Sequence, residues 1–254
     1  MNNRVVVVAA DADVLVAAVA ARLVTRLIDA QTARGTASLV LSGGGVGIGT
    51  LRALAASPAR AAVDWRHVDL WWGDERFLAA GDPQRNDVQA RGALLDRLDL
   101  DPERVHPMGC LGGPDGEDAD AAGARYAAEL AQAAPPDHDA PTFDVVLLGV
   151  GEEGHTASIF PESPAAHDER TAFAVHGCPK PPPTRLSLGF AAINSAHEAW
   201  LLAAGPEKAT AVAMALSGPG RVQVPAAGVA ARRQTLWLLD EAAASHLPRD
   251  LRRR

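Results

Sequence analysis

The chain has 254 residues, with 31 Asp and Glu against 24 Lys and Arg, and a formal net charge of −7. Its length, its 48% hydrophobic and its 22% charged residues describe a globular protein that buries a core without disulfide or metal staples; collagenous, disordered and repeat proteins are excluded. The acidic balance argues against a general nucleic-acid binder, which needs a basic face to neutralise phosphates.

The one basic cluster, Arg249, Arg252, Arg253 and Arg254, reads as a solvated terminus. Cys110 and Cys178 are too few for a disulfide framework or a Cys-rich zinc site. The apolar run Val5–Ala10 is too short for a signal sequence, and no segment approaches a membrane span, so a soluble, cytoplasmic protein is expected.

Along the chain, short β-branched runs alternate with Ala-rich helical stretches. Val5–Ala9 reads as a buried strand. Helical spacing of Leu15, Val19, Leu23 and Leu27 predicts a helix over Val14–Ile28, capped by Asp11 or Asp13. Ser38–Leu41 is a second strand, followed by a glycine-rich turn and a helix near Ile48–Leu54; His67–Trp72 is a third strand. Asn86–Leu98 and Asp118–Ala134 read as helices, and Phe143–Val150 as a strand covered on both faces. Thr171–His176, Arg185–Phe190, Glu198–Ala203 and Leu236–Leu239 are further strands, and Glu207–Leu216 a helix. Gly109–Asp120 and Cys178–Thr184 are turn-rich loops. This alternation predicts an α/β fold, a three-layer αβα sandwich around a mostly parallel sheet, with residues 1–254 as a single domain.

In such a sheet, ligands gather at the carboxyl ends of the strands, and three strand ends carry unusual sequence. The first is Leu41-Ser42-Gly43-Gly44-Gly45-Val46-Gly47-Ile48-Gly49. Five glycines in seven residues let the backbone approach an anion, and the helix that follows points its free N–H groups at it. The run is neither a Walker A loop nor a convincing dinucleotide fingerprint. The second is Trp72-Gly73-Asp74-Glu75-Arg76, with Asn86 ten residues beyond Arg76. Arg76 can meet an anionic oxygen in a forked geometry while a carboxylate orients or accepts a proton; in isolation, though, such a tripeptide more often forms a solvated turn.

The third strand end is Gly149-Val150-Gly151-Glu152-Glu153-Gly154-His155-Thr156-Ala157-Ser158. His155, set between a glycine turn and a predicted helix start, is placed to act as a general base near neutral pH. Thr156 and Ser158 are candidates to cap that helix or bind substrate. The other seven histidines lack such a setting. Arginine outnumbers lysine 22 to 2. Lys208 opens a helix, where the dipole disfavours a cation unless an anion is near. Lys180, in the proline-rich loop, reads as solvated, and Arg185 closes that loop.

Ser42-Gly43-Gly44, Trp72–Arg76 with Asn86, Gly151–Ser158 with Phe160-Pro161, Pro183–Leu188 around Arg185, and Gly205–Ala209 fall in the order and spacing of the 6-phosphogluconolactonases, which the chain resembles from about Leu39 to Leu239. The resemblance implies hydrolysis of 6-phospho-D-glucono-1,5-lactone in the pentose phosphate pathway, without metal or cofactor, on a fold shared with glucosamine-6-phosphate deaminase and ribose-5-phosphate isomerase. Ser42, Gly43, Gly44, Asn86, Arg185 and Lys208 would then bind the phosphorylated sugar, and His155, Asp74, Arg76 and Glu153 would carry the chemistry. Two departures stand out. Gly45-Val46-Gly47 replaces the commoner Ser-Thr-Pro, so backbone amides must take more of the phosphate. Glu153 replaces the usual Asp, one methylene shorter, before Gly-His. The expected partner is a small phosphosugar lactone, with no nucleic acid or membrane, and a monomer suffices.

Two other readings belong to different classes. A sugar-phosphate deaminase or isomerase would need a carboxylate shortly after its Gly-His segment, where Phe160 stands here. A non-catalytic sugar-phosphate sensor would tolerate loss of His155 and usually carries an added partner domain, of which the sequence shows no sign.

Overall fold

The computed structural model describes residues 4–218 and 220–252. Arg253 and Arg254 of the basic tail lie outside the described residues. The chain opens with β1 (Arg4–Ala9), α1 (Ala12–Arg34), β2 (Ala37–Leu41), α2 (Gly44–Ala56), β3 (Val68–Trp72) and β4 (Asp74–Arg76). It continues through α3 (Asn86–Ala93), β5 (Val105–His106), α4 (Ala119–Gln132) and β6 (Val145–Gly149). The last elements are β7 (Ala172–Val175), β8 (Arg185–Leu188), α5 (Phe190–Ile193), β9 (Glu198–Ala203), α6 (Ala209–Ser217) and β10 (Gln234–Asp240).

Local chemistry accounts for most of these boundaries. Asp11 caps α1 by accepting the Val14 N–H at 2.8 Å, and Gly35, at φ 80°, ends it by donating to the Gln31 carbonyl. Leu15, Val19, Leu23 and Leu27 form its buried stripe. α3 is shorter than its apolar pattern suggests: it ends at Ala93 because Leu94 leaves helical geometry, and a 3-10 turn, Leu95–Arg97, follows.

Seven strands form a parallel sheet in the order β1-β10-β9-β6-β2-β3-β5, flanked by helices as the alternation predicts. α1 and α2 pack against each other and across β1, β2, β6, β9 and β10. From β2 the chain winds outward through β3 to β5, whereas β6, β9 and β10 run the other way. The order therefore reverses between β2 and β6, and the crevice of such a sheet lies at that reversal. Among the described residues no helix is long and apolar enough to cross a membrane.

The structure corrects two expectations. β7 and β8 do not join the parallel sheet; with β4 they form a separate antiparallel sheet in the order β4-β8-β7. The reason is the connection: the loop from β7 to β8 has no crossover helix, which a parallel pair would need. Gly73 is the junction between the sheets, donating to the Leu41 carbonyl at 2.9 Å and accepting from Leu188 N–H at 2.8 Å. Asp74-Glu75-Arg76 is consequently not a solvated turn but a buried strand, with Asp74 opposite Ser187 and Arg76 opposite Arg185.

β5, which no sequence pattern marked, exists through tertiary contacts. The His106 ring stacks on Trp71 at 3.8 Å and 9°, Nδ1 lies 2.7 Å from Glu129, and Nε2 lies 3.9 Å from Asp69. Tyr126 on α4 donates to the His106 carbonyl and accepts from Trp72 N–H. Burial lowers the His106 pKa, but the two carboxylates outweigh it and leave it raised. The imidazolium therefore stabilises the fold fully below the unfolded value of about 6.5, and this contribution is lost as pH rises through the higher folded value.

The segment from β4 to α3 is organised by Glu75, which has no exposed surface. Its carboxylate accepts the backbone N–H groups of Arg76 (2.7 Å), Asn86 (2.7 Å) and Asp87 (2.9 Å), and so serves the first turn of α3 from outside the helix. Arg85, only 2% exposed, lies 3.6 Å from it and donates to the carbonyls of Arg76, Leu78, Met108 and Gly109. Burial pushes the Glu75 pKa up to about 7 against the opposing pull of Arg85 and the backbone donors.

Two predictions follow from these clusters. The stability difference between wild type and His106→Gln, from urea denaturation, should be larger at about pH 6 than at about pH 9; an equal difference at both would reduce His106 to packing alone. Glu75→Ala should cost about 3 kcal/mol or more, because it leaves the backbone N–H groups of Arg76, Asn86 and Asp87 without their acceptor. A change below about 1 kcal/mol by the same method would contradict that organising role.

Candidate active site

Four neighbouring strands of the large sheet, β9, β6, β2 and β3, end around one cavity of about 360 Å³. Ser42–Gly47 line it from the end of β2, Asp74, Arg76 and Asn86 from beyond β3, Gly149–Gly151 and His155 from the end of β6, and Lys208 from beyond β9. Arg185 enters from the small sheet. Nine of the ten residues singled out in the sequence thus line one cavity, and the tenth, Glu153, reaches it through His155.

The glycine run forms the first turn of α2, which begins at Gly44 and not near Ile48. Gly43 is the N-cap; no side chain caps the helix and no acidic residue lies in its first turn. The leading N–H groups of a 13-residue helix thus meet the cavity unsatisfied by capping. Glycine is required at position 43 by close approach: a Cβ there would lie 2.0 Å from Asn86 Oδ1.

Asp74 is the hub of the wall beside it. One carboxylate oxygen accepts from Asn86 Nδ2 at 3.2 Å and the other from Ser158 Oγ at 2.7 Å, while its carbonyl also accepts from Asn86 at 2.8 Å. Arg185 Nη1 stands 4.0 Å from Asp74 and 3.5 Å from Ser158 Oγ. Arg185 is buried and spends its remaining donors on the carbonyls of Lys180, Pro181 and Pro182, so it fastens the proline-rich loop as well as facing the cavity. Arg76 donates to the Gln84 carbonyl, while its buried Nε has no protein partner. Arg76 and Arg185 face each other across β4 and β8, two like charges that an anion between them would relieve.

His155 follows β6 in a turn, and no helix begins there, contrary to the sequence expectation. Ala157 takes φ 48°, and Thr156 and Ile159 exchange backbone bonds at 3.3 and 3.0 Å. Thr156 Oγ1 ties the turn to the Gly149 carbonyl and Ser158 N–H ties it to Ser187, so both hydroxyl residues anchor the turn where helix caps were expected. The imidazole packs on Phe160 with ring centroids 4.5 Å apart. A Cβ at Gly151 would lie 1.9 Å from its Nδ1, so the ring occupies space that only glycine leaves open. Glu153 Oε1 is 3.1 Å from Nδ1 without hydrogen-bond alignment. Burial lowers the His155 pKa below its ordinary value despite the pull of Glu153. Burial raises that of Glu153, but its own backbone N–H, His155 and Lys180 prevail and hold it low.

Both lysines of the chain stand beside this turn. Lys208, the residue before α6, lies 3.6 Å from Glu152, which answers the helix-dipole objection to a cation there. Lys180 stays solvent-accessible on its loop, as expected, but it is also paired: its Nζ donates to Glu153 Oε2 at 3.0 Å. Sequence reasoning also gave no role to Arg85, whose place beside Asn86 offered no signal for its long-range carbonyl partners. Among the described residues no group of three or more His, Cys, Asp or Glu side chains is disposed to hold a metal ion.

Comparison with known proteins identifies the family. A family model described as glucosamine-6-phosphate isomerases/6-phosphogluconolactonase matches residues 10–237. The chain is 59% identical over 248 residues to a 6-phosphogluconolactonase of Streptomyces coelicolor, covering 96% of this chain and 95% of the relative. It is 49% identical over 239 residues to one of Mycobacterium tuberculosis, covering 94% and 96%. The solved 6-phosphogluconolactonase of Trypanosoma brucei superposes with a TM-score of 0.85 at 27% identity, over 98% of this chain and 100% of that one. Sharing the fold and the sequence of these relatives, the chain belongs to the glucosamine-6-phosphate isomerase/6-phosphogluconolactonase family.

Proposed function

We propose that the protein hydrolyses 6-phospho-D-glucono-1,5-lactone to 6-phosphogluconate, with residues 1–254 as one catalytic domain of a soluble, cytoplasmic enzyme. The observation that carries this is the pairing, in one cavity, of an uncapped helix N-terminus with a half-buried histidine of lowered pKa. The first is an anchor for the 6-phosphate; the second is a base in its proton-accepting form at neutral pH. The relatives support the same substrate.

Ser42 and the amides of Gly43 and Gly44, with Lys208 across the cavity, hold the phosphate, and Asn86 adds a polar contact to the sugar. Arg185 adds charge from behind Asp74 and secures the proline-rich loop. His155 takes a proton from water as the oxygen bonds to C1 of the lactone. As the tetrahedral adduct collapses, the bond from C1 to the ring oxygen breaks, and the same imidazolium protonates that oxygen. Arg76, with its unpartnered buried Nε, is the donor available to the charge that develops. Asp74 and Glu153 orient the groups around it. Phe160, 2% exposed and packed on His155, occupies the place where deaminase or isomerase chemistry would need an acid.

The decisive experiment follows freshly generated lactone by NMR against its spontaneous hydrolysis. His155→Ala should lower kcat by about 10²- to 10⁴-fold, while Lys208→Ala should mainly raise KM. Equal turnover by wild type and His155→Ala would displace the base from His155. The pH dependence gives a second check: kcat/KM should fall as pH drops through a midpoint below about 6.5, as the base is protonated. A midpoint above that value would contradict the buried setting of the ring.

A further inference from the structure

Lys180 lies on the loop joining β7 to β8, outside every element that carries the reaction. Its ammonium is nevertheless the third member of a chain of contacts ending on the base. Nζ is 3.0 Å from Glu153 Oε2, and Glu153 Oε1 is 3.1 Å from His155 Nδ1. The loop that presents it is not free to wander. Arg185, 5% exposed, donates to the carbonyl of Lys180 itself at 3.1 Å and to those of Pro181 and Pro182 at 3.2 and 3.3 Å. The same guanidinium reaches Ser158 Oγ, which binds Asp74. The position of Lys180 is therefore tied to the wall of the cavity.

We propose that Lys180 is a positioning residue for the hydrolysis, gripping one oxygen of Glu153 so that the other stays beside His155 Nδ1 with its charge toward the ring tempered. This rests on the lactonase reading for its kinetic consequence, though not for its structural one. The physical case turns on how a carboxylate beside a histidine can spoil a base as easily as orient it. An unshared carboxylate stabilises the imidazolium and encourages the ring to stay protonated. Shared with an ammonium, it keeps its orienting reach while its charge toward the ring is partly cancelled. The charged groups facing His155 are Glu153 from its own turn, Lys180 from the loop and Asp74 from β4. Arg76 and Arg185 line the same cavity. Burial is the largest influence on the ring and lowers its pKa; Glu153 and Asp74 pull it up, and Lys180 pushes it down. Glu153, whose side chain has one rotor more than an aspartate's, gains from being gripped, since that rotor must be fixed.

The test uses the full chain with Lys180→Met, which keeps the aliphatic stem, and Lys180→Arg, which restores the charge. The His155 ring is titrated by NMR, assigned by its loss in His155→Gln, and kcat and KM are measured across pH. In Lys180→Met the ring's midpoint should move up, kcat at neutral pH should fall about 10-fold or more, and KM should stay within about 2-fold. Lys180→Arg should recover most of kcat. Adding Lys180→Met to Glu153→Gln should cost little beyond Glu153→Gln alone, because both act through one carboxylate. A raised KM with unchanged kcat would make Lys180 a substrate ligand and overturn the proposal. So would an unmoved ring midpoint, with or without a loss of kcat, since loop damage alone would leave the titration in place. If wild type fails to clear lactone, the functional reading falls, yet the titration still decides whether Lys180 governs the ring.

Discussion

A carboxylate with no exposed surface holds the active-site wall in place. Glu75 gathers three backbone N–H groups and a buried guanidinium around one pair of oxygens, and in doing so it stitches the end of β4 to the start of α3. Asn86 is delivered to the cavity as the first residue of that helix, directed at Asp74 and seated against the bare Cα of Gly43. Arg85, adjacent to Asn86, spreads the same constraint to the carbonyls of Met108 and Gly109. The residues that face substrate are few and polar. The residues that fix them are buried ionisable groups, held in place by the hydrogen-bond partners gathered around them.

On this frame the site divides, in the proposed reading, into an anion anchor and a base. The anchor is mainly backbone: a helix whose first turn carries glycines and no acid, beside the switch in strand order where the crevice must open. The proposed base is a ring packed on Phe160 and filling the space left at Gly151, and burial lowers its pKa. Separating the two functions lets the phosphate fix the sugar without competing for the proton acceptor.

Much of this was legible in the residues. The run Phe143–Val150, the cap at Asp11 and the glycines after Leu41 each announce their element because the cause is local: burial on both faces, a side-chain oxygen before a helix, a backbone without Cβ. The site residues were legible because three strand ends each carried a polar cluster that a parallel sheet brings to one edge. Long-range causes were not legible. β5 depends on a ring stacked on Trp71, and the antiparallel sheet depends on Gly73 passing the chain from one sheet to another. The turn after His155 takes its shape from bonds to Gly149, Asp74 and Ser187, so Thr156 and Ser158 anchor it where a helix start seemed to be written. Lys180 read as solvated because its partner is 27 positions away in the chain.

The distribution of amines has a consequence for chemical handling of the protein. Only Lys180 and Lys208 carry a primary amine on a side chain; both lie against glutamates, Lys208 on the cavity wall and Lys180 one carboxylate away from His155. The many surface arginines do not react with acylating agents or aldehydes as a lysine does, and they cannot act as decoys. Acetylation, reductive alkylation or amine-directed immobilisation at side chains would therefore converge on the catalytic face, leaving the rest of the surface untouched. Attachment chemistry that spares activity has to be sought at carboxylates or at Cys110, the more accessible of the two thiols.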